Sequence, residues 1–120
     1  MEVEQRLLTT TADDVPDAMR DTLRAFCEAT PEVESAWVCR IESRAPGREA
    51  EERLRFAVKL KGRYDVPDEG VAGARLLMSR LSEPQRELIA ELGLAVLADR
   101  AVAAWDAKAE MIYRRAASPA

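Results

Sequence analysis

The fold is decided by VESAWVCRIES at residues 33–43 and RLRFAVKL at residues 53–60. In both segments β-branched and aromatic residues recur at every second position, which is typical of β-strands. The intervening residues 44–52 are polar and contain Pro46-Gly47, so we predict an antiparallel hairpin. The inward side chains of the second strand are then Leu54, Phe56, Val58 and Leu60.

Helices are predicted on both sides of the hairpin. Apolar residues from Val15 to Phe26 recur at spacings of three and four, which indicates an amphipathic helix over residues 16–29. Residues 62–70 form a turn-rich connector, and a second apolar stripe follows from Val71 to Leu81. A last helix starts near Asp99. Its apolar residues are Val102, Trp105, Ala109 and Ile112.

The segment at residues 91–98 can be assigned in two ways. The spacing of Leu88, Leu92 and Val96 fits a helix, whereas the apolar run at residues 92–97 is typical of a buried strand. Periodicity alone does not separate these two assignments.

Three segments resemble the C-terminal domain of the SseB (enhanced serine sensitivity) proteins. They are DAMRDTLRAFCEATPEVESAWVCRIE, LRFAVKLKG and the ending AEMIYRR, and the resemblance covers residues 15–115. Pro31-Glu32-Val33 and Trp37 match the family's lead into an aromatic-bearing strand. At the end, Met111-Ile112 stand where the family has Pro-Phe before Tyr113.

The resemblance implies a third strand at residues 92–98. Full-length members carry an additional N-terminal half, so this chain is either a stand-alone version or part of a longer protein. The family name describes a phenotype and supplies no reaction.

Together these patterns predict a single small α+β domain of order α-β-β-α-β-α. Its three-stranded sheet is built on the hairpin, and its helices pack mainly on one face. We expect residues 1–12 to be a flexible arm, residues 13–115 to form the domain and residues 116–120 to be a frayed tail.

The inventory of side chains argues against catalysis. The chain has no histidine, which excludes a Ser-His or Cys-His pair within one chain. Asp13, Asp14, Asp17 and Asp21 lack the order of a calcium loop and suit a helix N-terminus. Gly70 and Gly73 do not form a phosphate-binding motif. We therefore expect no catalytic, metal or cofactor-binding residues and no cofactor, and the chain to be a non-enzyme.

Composition also narrows the partners and the compartment. The net charge of -4 disfavours binding to nucleic acid. The sequence has no run of about 18 apolar residues, so we predict no membrane span. Cys27 and Cys39 fall at predicted core positions, as reduced thiols do in a cytoplasmic protein. Fifteen arginines against three lysines, with 21 alanines and no asparagine, indicate a GC-rich genome, so we expect a bacterial protein. The two core thiols and the lack of a secretion signal or membrane span predict a cytoplasmic location.

The outward face of the hairpin is the predicted interaction surface. If Ile41 pairs with Leu54, Arg40 faces Arg55 and lies beside small apolar residues, a patch that monomers seldom leave bare. The candidate surface, extended by the C-terminal tail, consists of Ala36, Val38, Arg40, Arg55, Ala57, Tyr113 and Arg114.

These observations predict a non-catalytic protein-interaction or regulatory domain, either self-associating as a homodimer or docking on another protein. The alternative is a small-molecule-binding or enzymatic domain with a pocket between sheet and helices, around Trp37 and Trp105.

Overall fold

The predicted hairpin forms the centre of a mixed sheet in the computed structural model, which describes residues 4–61 and 75–115. The described strands are β1 (Glu4–Leu8), β2 (Val33–Arg44), β3 (Glu51–Leu60), β4 (Leu94–Val96) and β5 (Glu110–Arg114). The described helices are α1 (Asp17–Ala29), α2 (Glu83–Leu92) and α3 (Asp99–Lys108), with a 3₁₀ turn at Ala12–Asp14 and helical residues at 75–78. The predicted α+β class is confirmed.

The two longest strands set the topology of the sheet. β3 pairs antiparallel with one edge of β2, and β4 adds parallel to β3. The opposite edge of β2 is shared, because β1 pairs with its residues 40–44 and β5 pairs with its residues 35–38. The sheet therefore contains five strands in the described part of the chain, two more than the sequence predicted.

The register of the hairpin differs by one residue from the predicted pairing. Leu54 faces Arg40, Phe56 faces Val38 and Ala57 faces Trp37. A shift of one residue moves every side chain of a strand to the opposite face. As a result Arg40 and Arg55 lie on opposite faces, and the like-charge pair expected from the sequence does not form.

Each face of the sheet has its own core. On the first face, α1, α2 and residues 77–81 cover Val38, Phe56 and Val58, all of which are fully buried. On the second face, α3 packs through Trp105 over Trp37, Cys39 and Ala57. The helices therefore cover both faces, two of them on the first and one on the second, instead of lying mainly on one face.

The ambiguous segment at residues 91–98 is divided between the two assignments. Ser82 accepts a hydrogen bond from the backbone N–H of Gln85 and starts α2, which ends at Leu92. Gly93 then adopts φ 78°, a conformation that favours glycine, and turns the chain into β4. The third predicted strand is thus present at Leu94–Val96.

Two terminal predictions change. Residues 4–8 of the expected flexible arm form β1, held against β2 by the pairing of Leu7 with Ile41. The last helix ends at Lys108, and Ile112 lies in β5 instead of on the helix. Val71 and the predicted tail at residues 116–120 lie outside the described residues. None of the helices in the described ranges is long and apolar enough to cross a membrane.

Candidate functional site at the open end of the sheet

In the described part of the chain, the helices leave one end of the sheet accessible on both faces. This open end consists of β1, residues 40–44 of β2 and residues 51–55 of β3. Its side chains are exposed or half-buried, apart from Ile41. The rest of β2 and β3 is mostly buried between the helices, so the open end is where these central strands present side chains to solvent.

On the first face, the charged side chains of the open end form ion pairs with one another. Arg40 donates from Nε to Glu52 Oε1 at 2.5 Å and from Nη1 to the Thr9 carbonyl at 3.2 Å. Its Nη1 also lies 3.9 Å from Asp14 Oδ2. The hydrogen bond from Arg40 lowers the pKa of Glu52, and a bond from the Thr11 backbone lowers the pKa of Asp14.

On the second face, the open end is a cleft with an apolar floor. The cleft has a volume of about 320 Å³ and lies between the sheet and α3. Leu7, Ile41, Ala95, Leu97 and Trp105 form its apolar lining. Its polar lining comes from Gln5, Arg6 and Arg55.

Arg55 differs electrostatically from Arg40. Its Nε is buried and has no hydrogen-bond partner in the described part of the chain. A Cβ built on Gly93 would lie 3.8 Å from this Nε and 3.5 Å from Nη2 of Arg53, so two guanidinium groups converge beside Gly93. A cation in an apolar cleft is stabilised by an anion within a few ångströms. Within residues 4–61 and 75–115, no group accepts a hydrogen bond from the Nε of Arg55.

The outer edge of β3 is also open at this end. β4 pairs only with residues 56–58 of β3. The Phe56 N–H donates to the Gly93 carbonyl, and the Val58 carbonyl accepts from Leu97, so the even-numbered residues direct their backbone groups toward this edge. By the alternation of strands, Glu52 and Leu54 do the same. No strand of the described ranges pairs with them there.

The structure does not bring the predicted interaction residues together. Ala36 and Val38 are fully buried in the first-face core, and Ala57 is fully buried in the second-face core. Arg40 and Arg55 lie at the open end but on opposite faces, and Tyr113 and Arg114 belong to β5. Two features explain this result. The register places Arg40 and Arg55 on opposite faces, and the helices on both faces bury the alternate residues that a one-sided sheet would expose.

Two residues beside Tyr113 and Arg114 serve the fold. Arg115 donates to the carbonyls of Val33, Cys27 and Thr30, which joins β2 to the end of α1. The Ile112 carbonyl accepts a hydrogen bond from Arg24 at 2.7 Å, which joins β5 to α1.

A second cleft, of about 400 Å³, lies beside α3 around Trp37. Two of its charged residues have partners: Lys59 contacts Glu34 at 2.8 Å, and Asp106 accepts a hydrogen bond from Trp37 Nε1 at 3.4 Å. Trp37 and Trp105, expected to share one pocket, line different clefts. The cleft at Trp105 includes Arg55, whose buried Nε has no partner in the described part of the chain.

Side chains with reactive chemistry are not assembled in the described part of the chain. Within residues 4–61 and 75–115, no three His, Cys, Asp or Glu side chains are grouped so that they could hold a metal ion. Both cysteines are free and fully buried. Burial raises the pKa of the Cys27 thiol to about 12, which keeps it protonated at neutral pH.

Comparisons of the chain with protein-family models, with curated proteins and with solved structures each return no match. The resemblance to the SseB C-terminal domain therefore stays a prediction.

Three residues of the open end were absent from the predicted surface: Glu51, Arg53 and Leu7. The charges of Glu51 and Arg53 are visible in the sequence as EERLR at residues 51–55. What the sequence does not show is that β4 stops short of them and leaves the edge open.

Proposed function

We propose that the protein is a non-catalytic interaction domain that self-associates by pairing the open edge of β3 with the same edge of a second copy. One observation supports this proposal above others. Glu51 and Arg53 lie two residues apart on an edge where no described strand pairs, and their charges are opposite.

The backbone pattern suits an antiparallel pair centred on Glu52. Glu52 and Leu54 direct their N–H and C=O groups outward, so Glu52 would exchange two hydrogen bonds with Glu52 of the second copy. Leu54 would pair with Ala50 in the same way. Such pairing extends the sheet across the two-fold axis, as isologous dimers do.

The charges select this register. With Glu52 opposite its own counterpart, Glu51 of each copy faces Arg53 of the other, which gives two opposite-charge pairs on the second face. If the two-fold axis passes through residue 53 instead of residue 52, Arg53 lies opposite Arg53. If it passes through residue 51, Glu51 lies opposite Glu51. Like charges directly opposite each other destabilise a strand pair.

The remaining like pair is Glu52 with Glu52, on the first face. Each Glu52 is already held by Arg40 of its own chain through a 2.5 Å hydrogen bond. This ion pair offsets the repulsion between the two carboxylates and fixes both side chains before the copies meet.

Gly93 limits how far the pairing extends. It accepts the hydrogen bond of Phe56 and lies against Arg53 and Arg55, so a second copy can pair only as far as Leu54. An interface this short is smaller than those of permanent dimers. We expect a dissociation constant on the order of 100 µM.

The test is the molar mass in solution, measured by light scattering and sedimentation from about 10 µM to about 1 mM. The natural protein is expected to shift from monomer to dimer over this range. Glu51→Arg and Arg53→Glu are each expected to stay monomeric, because each creates two like-charge pairs. The double variant, which exchanges the two charges, is expected to dimerise again.

A mixture of the two single variants is a further control, because two misfolded variants would not form a heterodimer. Glu51→Arg has two arginines at these positions and Arg53→Glu has two glutamates, so the pair is complementary and a heterodimer is expected. Glu87→Arg, on the exposed side of α2, is the matched charge reversal and should dimerise as the natural protein does. A natural protein that stays monomeric at every concentration would disprove the proposal.

A bacterial, cytoplasmic setting and kinship with the SseB C-terminal domain belong to this proposal as expectations. Two free, buried cysteines support a reducing compartment.

A further inference from the structure

We propose that the cleft beneath α3 is a binding site for a small apolar molecule that carries one carboxylate, with Arg55 as its anchor. This site differs from the dimer surface proposed above, which uses the backbone edge together with Glu51 and Arg53, and Arg53 lies near both. It also gives a location and a ligand class to the pocket that the sequence suggested near Trp105.

The floor of the cleft determines the apolar part of the ligand. Leu7, Ile41 and Ala95 rise from β1, β2 and β4, and Leu97 and Trp105 close the side toward α3. Ligand sites are mostly apolar and carry a few polar groups that orient the molecule. Its volume of about 320 Å³ accommodates roughly ten groups of the size of a water molecule or a methylene.

Arg55 determines the charged part. Its buried Nε has no partner in the described part of the chain, although the same guanidinium borders an apolar floor. Because this Nε is closed to solvent, a carboxylate in the cleft would pair with the outer part of the guanidinium through charge-assisted hydrogen bonds. The planar fork of arginine matches the geometry of a carboxylate.

The neighbouring charges favour an anion over a cation. Arg53 lies within reach of the same point beside Gly93, and Arg6, which also lines the cleft, is paired with Glu42 at 3.1 Å. No carboxylate lines the cleft among the described residues. An amine of the same shape would therefore meet the guanidinium of Arg55 and no counter-charge among the described residues.

The probe is sodium octanoate, which has an eight-carbon chain and one carboxylate. It is titrated into ¹⁵N-labelled protein while backbone amide and indole N–H signals are followed by NMR. We expect saturable shifts at Leu7, Ile41, Ala95 and Leu97 and at the indole of Trp105, which Trp105→Phe assigns. The dissociation constant should be on the order of 1 mM for a ligand of this size.

Three comparisons make the test specific. Octylamine should bind at least about tenfold more weakly than octanoate, because it replaces the charge-assisted hydrogen bonds by repulsion. Arg55→Met should weaken octanoate by about tenfold and leave octylamine no weaker than before. Arg48→Met, which removes an exposed arginine of the loop between β2 and β3, should bind octanoate as the natural protein does.

The inference is overturned if octanoate and octylamine bind equally, if Arg55→Met binds octanoate like the natural protein, or if the shifts fall outside the cleft. The octylamine comparison uses the natural protein and does not depend on how Arg55→Met folds. The molar mass measured in parallel separates this result from dimerisation. A monomer that binds octanoate supports the site and counts against the self-association alone.

Discussion

Arg40 and Arg55 lie on neighbouring strands at the same end of the sheet, yet their surroundings are opposite. Arg40, on the first face, contacts Glu52, Asp14 and the carbonyl of Thr9. Arg55, on the second face, borders an apolar floor with its Nε buried and unpaired in the described part of the chain. On one face the charges pair with one another, and the other face keeps a guanidinium whose Nε no residue of the described ranges satisfies.

This difference supports the two proposals above, which place the interactions at the second face and its edge. Buried polar groups of folded proteins are nearly all hydrogen-bonded, and the exceptions concentrate at sites that bind or react. The first face thus serves stability, and the second face and its edge hold the features that a partner or ligand could use. The following predictions test this contrast, from the largest effect to the smallest.

Val38→Glu should have the largest effect. Val38 is fully buried on the first face opposite Phe56, so a carboxylate there has neither water nor a cation. We expect a loss of more than about 4 kcal/mol in the free energy of unfolding, which would leave the domain unfolded in circular dichroism. The pairing expected from the sequence would instead have placed Val38 on the surface.

Leu7→Glu is the matched change on the second face. Leu7 is only half-buried at the rim of the cleft, so its carboxylate can reach water, and we expect this variant to fold. If Val38→Glu gives a native spectrum and Leu7→Glu does not, the assignment of the two faces is wrong.

Methionine at the two arginines should change stability in opposite directions. Arg55→Met removes an unpaired buried donor and keeps an apolar chain, so we expect the free energy of unfolding to rise by about 1 kcal/mol. Arg40→Met removes the contacts to Glu52 and Asp14 and should lower the urea midpoint. Urea titration of both variants tests this prediction. If Arg55→Met lowers the urea midpoint as much as Arg40→Met does, Arg55 serves the fold.

Thiol labelling should distinguish the helices that cover the first face from the single helix α3 that covers the second. Cys27 lies in the first-face core, and burial raises its pKa to about 12, whereas Cys39 lies under the single helix α3. In native buffer we expect neither thiol to react with a disulfide reagent within minutes. At urea concentrations below the unfolding midpoint, Cys39 should be labelled before Cys27, which peptide mass spectrometry would show.

The smallest effect should come from acid. The pKa of Glu52 is lowered below its ordinary 4.5 by Arg40, so its ion pair stabilises the fold above pH 4.5. This contribution is lost as the pH falls through the lower pKa of the folded state. Glu52→Gln should therefore show a shallower fall of the melting temperature with acid than the natural protein. Identical profiles would mean that the pair contributes nothing measurable.

The sequence by itself determined the local elements. The alternation in VESAWVCRIES and RLRFAVKL established both central strands, and the spacing from Val15 to Phe26 established α1. These features depend on residues close in the chain, so they can be read locally.

Only the tertiary structure decided which faces these elements share. Both faces of the sheet are covered, so both sets of alternate residues in β2 are apolar and the pattern allows two registers that differ by one residue. β1 and β5 were missed because edge strands gain their stability from pairing with β2, not from local propensity. The open edge of β3 and the unpaired Arg55 follow from where β4 and α3 end, and that depends on contacts between residues about 40 positions apart.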